Sequence, residues 1–262
     1  MLQLCSMKDN KQKVIDLLNS LETGDAAPVA YINPEKYTQH NLAIADGLAG
    51  FGALVQNKPA QGFKVNIVRA FQEGDYVFTH TEYDFFGPKI GFDIFRFEDG
   101  KIVEHWDNLQ EPVAPTANGH TMTDGATTIT DLDKTASNKT FITTFVEKFL
   151  VGGDSSIIPA YIKATGYIQH NPHIADGLEG LQQALAYFAA NKIGFSYTKV
   201  HKVLGEGNFV LVISEGQMAD VHSTFYDLFR VEDGKIAEHW DVIEAIPATS
   251  EWKNQNGKFG FR

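Results

Sequence analysis

Along the first stretch of the chain the apolar positions Val14, Leu17, Leu18 and Leu21 recur at helical spacing, and Gly24 follows as a candidate C-cap. Phe141, Phe145 and Phe149 repeat that stripe farther on and end at Gly152-Gly153. Another helix is predicted after Asp176, read as an N-cap with Glu179 completing a capping box, ahead of Leu181, Leu185 and Phe188. Asp46 holds the corresponding earlier place, with Ala49 where the glutamate would stand. The period then drops to two: residues 64–71, 76–82, 91–97 and 101–109 read as successive strands. Asp99-Gly100 and Asp233-Gly234 signal tight hairpins, because both central positions of a type I′ turn need positive φ. Helices first and strands after predict an α+β domain, its helices packed on one face of a curved antiparallel sheet.

The pattern occurs twice. Tyr37-Thr-Gln39-His40-Asn41-Leu-Ala-Ile44-Ala45-Asp46-Gly47 returns as Tyr167-Ile-Gln169-His170-Asn171-Pro-His-Ile174-Ala175-Asp176-Gly177. Asp93-Ile-Phe95-Arg96-Phe-Glu98-Asp99-Gly100-Lys101-Ile102-Val-Glu104-His105-Trp106-Asp107 returns as Asp227 to Asp241 with twelve of fifteen positions identical. Units of this size are domains rather than solenoid repeats. The expected division is a first copy over 1–111, a linker over 112–136, a second copy over 137–248 and a tail over 249–262. The tail's aromatics fit docking on a domain surface as well as they fit a frayed end.

Composition narrows the setting. The 262 residues carry a net charge of −11 and no basic stripe, which argues against a nucleic-acid partner. No apolar run approaches the roughly 20 residues of a membrane span. The single cysteine, Cys5, cannot make an internal disulfide, so a reducing, cytoplasmic setting is expected.

The candidate chemistry lies on the hairpin and ahead of the helix. A two-residue turn at Asp99-Gly100 would pair Asp93 with Trp106 and put Asp93, Phe95, Ile102, Glu104 and Trp106 on one face, leaving Arg96 and His105 on the other; a bulge would shift this register. Asp227 and Trp240 take the same places in the second copy. An aspartate among aromatic side chains either pairs with a cation such as Arg96 or His80, or shifts its pKa into a range useful for proton transfer. His40 and His170, each followed by asparagine (Asn41, Asn171), could orient a carbonyl substrate or bond an irregular turn. Tyr37 and Tyr167 are pocket donors or core residues, and His105 and His239 read as surface ion pairs. His80 maps onto Ile213, which suggests one competent site and one altered one. His170-Asn-Pro-His173 has metal-like spacing, but Ala43 replaces the second histidine in the first copy and no third ligand is evident, so no metal and no cofactor are expected.

Both motifs resemble the SnoaL-like branch of the nuclear transport factor 2-like superfamily. The resemblance implies two cone-shaped α+β barrels, each with about three helices against a strongly curved sheet and a pocket inside the cone. It also implies pairing through the sheets, here as an intramolecular pseudo-dimer of the two copies, with further homo-oligomers left open. Polyketide cyclases of this kind close a ring by aldol condensation without cofactor, using an aspartate as acid/base and nearby histidines. On that basis Asp93, His80, His40, Asp227 and His170 are the catalytic candidates, and Tyr37, Asn41, Trp106, Tyr167, Asn171 and Trp240 the ligand-binding ones. The expected partner is a small apolar or carbonyl-containing molecule. The rival readings are a non-catalytic ligand-binding module and an interaction domain with a vestigial pocket.

Overall fold

The computed structural model describes residues 9–261; Cys5 lies outside them. The order in the first half is α1 (Asn10–Thr23), a 3-10 turn at Ala27–Tyr31, β1 (Thr38–Gln39), α2 (Gly47–Gln56), β2 (Lys64–Glu73), β3 (Tyr76–Asp84), β4 (Pro88–Glu98) and β5 (Lys101–Gln110). The second half repeats it as α3 (Thr135–Phe145), α4 (Ile158–Tyr161), β6 (Ile168–Gln169), α5 (Gly177–Asn191), β7 (Phe195–Glu206), β8 (Phe209–Met218), β9 (Val221–Glu232) and β10 (Lys235–Ala245). Each half is a five-stranded sheet, in the orders β1-β5-β4-β3-β2 and β6-β10-β9-β8-β7. The sheets curve without closing, and only the short edge strands β1 and β6 run parallel to their neighbours. No described helix is long and apolar enough to cross a membrane.

Local signals explain most boundaries. Asp9 caps α1 by accepting from the Gln12 N–H, and Gly24 closes it at φ 76°. Both Asp-Gly turns have positive φ at each central residue. The stripe through Phe149 continues past α3 into a π-helical turn, Val146–Val151. The expected capping box does not form: the Asp176 carboxylate accepts from the Gln169 N–H (2.8 Å) instead, as Asp46 does from Gln39 (2.9 Å). The aspartates therefore tie the edge strand to the helix start rather than capping the helix.

The helices cover one face of each sheet, enclosing Leu17, Phe63 and Phe95 in the first half and Ile142, Val212 and Phe229 in the second. The opposite faces pack on each other in a shared core built from Phe71, Phe92, Trp106, Phe209, Tyr226 and Trp240. The contacts across this core obey a pseudo-twofold. Gln72 N–H donates to Glu206 (2.7 Å), while Gly205 N–H donates to Glu73 (2.7 Å). Leu109 N–H donates to Glu244 (3.1 Å), while Ile243 N–H donates to Gln110 (2.9 Å). Reciprocal contacts of this type belong to an isologous interface, here folded into one chain.

Two irregular straps extend the symmetry. The segment after β5 crosses the second half, and the segment after β10 crosses the first. Asn118 Nδ2 binds the Gln169 carbonyl and Asp176 Oδ1 (3.3 Å), and Asn256 Nδ2 binds the Gln39 carbonyl and Asp46 Oδ1 (both 2.9 Å). Trp240 Nε1 donates to the Asp124 carbonyl (2.9 Å) and Trp106 Nε1 to the Phe259 carbonyl (3.4 Å). The tail is thus docked, with Phe261 stacked on Trp106 at 4.5 Å.

Candidate functional site

The hairpin register sets the site. Glu98 pairs with Lys101 and Phe97 with Ile102, but Val103 is then bulged out, so Arg96 opposes Glu104, Phe95 opposes His105 and Asp93 opposes Asp107. Ala237 is bulged in the same way between β9 and β10. One extra residue exchanges the faces beyond it. Asp93, Phe95, His105 and Asp107 line the cone, and the expected grouping of Asp93 with Glu104 and Trp106 is corrected accordingly.

The first cone encloses a cavity of about 240 Å³, walled by apolar side chains including Leu18, Phe51, Leu54 and Phe86. Its polar groups form one chain of hydrogen bonds. Gln39 Oε1 accepts the Asn41 backbone N–H (2.8 Å), which fixes it as an acceptor, so His105 Nδ1, 2.9 Å away, must carry a proton. The other ring nitrogen, Nε2, lies 3.1 Å from Asp93 Oδ1, and Tyr83 donates its hydroxyl to Asp93 Oδ2 (2.6 Å). All of these side chains are buried. Burial and the Asp93 charge push the Tyr83 hydroxyl well above its ordinary pKa, so it stays a donor. Tyr37, which also lines the cavity, is raised by burial and the charges of Asp107 and Asp93.

The second cone carries the same chain: Gln169 Oε1 accepts from the Asn171 N–H (2.9 Å) and meets His239 Nδ1 (2.9 Å). His239 Nε2 lies 2.9 Å from Asp227 Oδ1, and Tyr197 donates to Asp227 Oδ2 (3.0 Å). Burial works against a charged His239, but the hydrogen bond to Asp227 and the charges of Asp227 and Asp241 hold its pKa above the ordinary imidazole value. Tyr167 and Asn171 line this cavity, which measures about 70 Å³.

A second carboxylate sits beside each pair, and here the halves differ. Asn41 donates to Asp107 Oδ2 (2.6 Å), and buried Lys258 from the tail strap lies 3.4 Å from Asp107 Oδ1 and 2.7 Å from Glu244. Asn171 donates to Asp241 Oδ2 (2.7 Å), but Asp241 Oδ1 has no hydrogen-bond partner among the described residues. Burial and the Asp227 charge raise the Asp241 pKa, with His239 and Asn171 opposing. In each cone the Asp-His-Asp ligand atoms converge within 4.8 Å, close enough to hold a cation as an alternative use of the same groups.

Several nominated residues lie on the other face. His40 stacks on Trp106 (4.7 Å) and bonds Glu104 and the Gly257 carbonyl; His170 stacks on Trp240 (4.7 Å) and bonds Glu238 and the Thr121 carbonyl. His80 is buried between the sheets, 3.2 Å from Arg69 and stacked on Phe92. It and Ile213 belong to the sheet contact, so their difference does not distinguish the pockets. Arg96 pairs with Glu104 and Glu98, not with Asp93. His105 and His239, expected as surface ion pairs, are buried pocket groups; with Gln39, Tyr83 and Asp107 they are what sequence reasoning missed. Gln39, His105 and Asp107 recur in the second copy, which was the available signal, but only the bulge turns His105 and Asp107 into the cone. Tyr83 does not recur, since Gly216 stands at its place and Tyr197 of β7 supplies the second cone's hydroxyl.

A family model described as a SnoaL-like domain matches residues 14–105 and again residues 142–239. No curated protein matches the chain. Among solved structures, TsrD from Streptomyces laurentii is 20% identical, over 40% of this chain and 92% of its own, with a TM-score of 0.34. An NTF2-like protein from Cytophaga hutchinsonii is 15% identical, over 41% and 95%, with a TM-score of 0.37. An LEH-like epoxide hydrolase from M. tuberculosis is 21% identical, over 38% and 81%, with a TM-score of 0.34.

Proposed function

Because the chain belongs to the SnoaL-like domain family, with one copy in each half, we propose that the first cone binds a small, largely apolar carbonyl compound and moves a proton next to the carbonyl without a cofactor. The observation that carries this reading is the 3.1 Å Asp93–His105 contact in the lining of an otherwise apolar cavity. Asp93 removes the proton α to the carbonyl, and His105 balances the charge of the pair as it gains and loses that proton. Tyr37, kept protonated by burial and the neighbouring carboxylates, supplies a hydroxyl donor to the developing enolate, while Tyr83 holds Asp93 in place through its own hydroxyl. Return of the proton to a different carbon gives isomerisation; attack of the enolate on a second carbonyl, whose alkoxide takes the proton back from Asp93, gives aldol closure.

The smaller second cavity favours a different reading for that half, as a structural or binding copy with little room for turnover. The test is α-proton exchange of a panel of cyclic and aromatic ketones in D2O, followed by NMR with a chelator present. Exchange that depends on Asp93 and persists with chelator supports proton transfer without metal. No exchange above buffer for any ketone, with the Asp93 carboxyl signal indifferent to all of them, sinks the enzyme reading and leaves the binding one.

A further inference from the structure

The strap between the halves brings two ligating side chains against a third. Asp124 spans two imidazoles: its Oδ2 lies 3.3 Å from His120 Nδ1 and its Oδ1 lies 2.9 Å from His170 Nδ1. One ligand atom from each of the three residues falls within 4.8 Å of the others. The far nitrogens of both rings are anchored by carboxylates, His120 Nε2 by Asp176 (3.1 Å) and His170 Nε2 by Glu238 (2.9 Å). Metal-binding histidines are commonly held in this way, because a carboxylate behind the ring fixes its orientation and raises the basicity of the nitrogen facing the ion. The Thr121 carbonyl, 3.0 Å from His170 Nδ1, adds a further oxygen.

Access and rigidity fit the same use. The His170 side chain is fully buried, whereas those of His120 and Asp124 are 32% and 44% exposed, which leaves the cluster open to an ion from solvent. The next residue, Gly125, has φ +93°, and a Cβ there would come within 2.0 Å of Glu238 Oε1 and 3.0 Å of His170 Nε2. Only glycine lets the strap carry Asp124 this close. The first half has no counterpart, because Lys258 follows Asn256-Gly257 where His120 follows Asn118-Gly119, and its ammonium turns to Glu244 and Asp107.

We propose that His120, Asp124 and His170, with the Thr121 carbonyl, form a binding site for Zn2+ that pins the strap to the second half. Two imidazoles and one carboxylate suit zinc and its neighbours rather than magnesium or calcium. The site lies outside both cones, so it stands or falls separately from the proton-transfer reading.

The test is calorimetric titration of Zn2+ into the full chain, free of affinity tags and stripped of metal, with Co2+ absorption spectra as a second readout. One equivalent is expected. Asp176→Asn, which removes the charged anchor behind His120 while leaving an amide oxygen to accept from the Gln169 N–H and Asn118, should weaken binding roughly 10–100-fold, and His120→Ala or Asp124→Ala should weaken it further. Cys5→Ser, His173→Ala and His201→Ala/His222→Ala should leave it unchanged. Zn2+ should raise the melting midpoint of the parent chain but not that of His120→Ala. Binding no tighter than that of a folded His120→Ala/Asp124→Ala variant, or binding lost in the control variants, overturns the site.

Discussion

The two cones share a hydrogen-bonded chain of glutamine, histidine, aspartate and tyrosine and differ in almost everything around it. The first has more than three times the space and a buried lysine beside its second carboxylate. The second is walled by Ala184, Leu185 and Phe188 of the longer helix α5, and Asp241 Oδ1 has no hydrogen-bond partner among the described residues. The difference separates two things a site needs. The geometry of the histidine–aspartate pair is kept with less room and without a lysine beside it, so its presence alone does not identify a working pocket.

The sharpest way to break the comparison is to remove one aspartate at a time. Asp93→Asn should cut ketone exchange by about 10²-fold or more, in line with loss of a general base, while Asp227→Asn should change it little. Equal losses would mean the space difference is irrelevant. Next in size is Lys258→Met. It strips the cation from Asp107 and Glu244, and breaking a buried pair from one side costs about 3–5 kcal/mol, read as a lower urea midpoint; Lys253→Met should not reproduce it.

A pH series on the second half should show a smaller effect. Asp241 has a raised pKa in the fold, so the native state holds the proton more tightly than the unfolded one, whose aspartates titrate near about 3.9. Its contribution is greatest below that value and is lost as pH rises through the folded pKa. His239 is also raised, so its contribution is complete below about 6.5 and lost as pH rises through its own folded value. Both act in one direction. Asp241→Asn should therefore gain on the parent as pH increases from 4 to 7, by on the order of 1 kcal/mol, in urea midpoints measured across that range. Phe188→Ala is the gentlest probe: it should enlarge the second cavity for about 1–2 kcal/mol, well below the loss for a fully buried phenylalanine, and let that cone take up ketones bound by the first.

Much of this was legible in the sequence, and the misses share a cause. The strand limits, the Asp-Gly turns and the duplication followed from period, turn chemistry and repetition. Tyr37, Asn41 and Asp93 were singled out and do line the first cavity. The faces of β4 and β5 could not be read, because β4 is buried on both sides, one against the helices and one against the other sheet. A strand without a polar face gives no register, and a bulge at Val103 or Ala237 leaves the apolar pattern intact. Trp106 was therefore credited to the cone, and His40 and His80 were credited to it from the motif and the resemblance, although all three serve the sheet contact or the strap. The crossing of the straps was equally silent, since Asn118 and Asn256 look like ordinary turn residues until their partners are seen.

That crossing also sets an order of events during synthesis. The strap that clasps the second half precedes it in the chain, so that half can close on its strap as soon as it is made. The first half must wait for residues 254–261, which follow the whole second copy. At about 5–20 residues per second the delay is on the order of ten to thirty seconds. Throughout that interval Trp106 lacks its cover and Asp107 its lysine, so of the two pockets the roomier one is the later to reach its final electrostatic state.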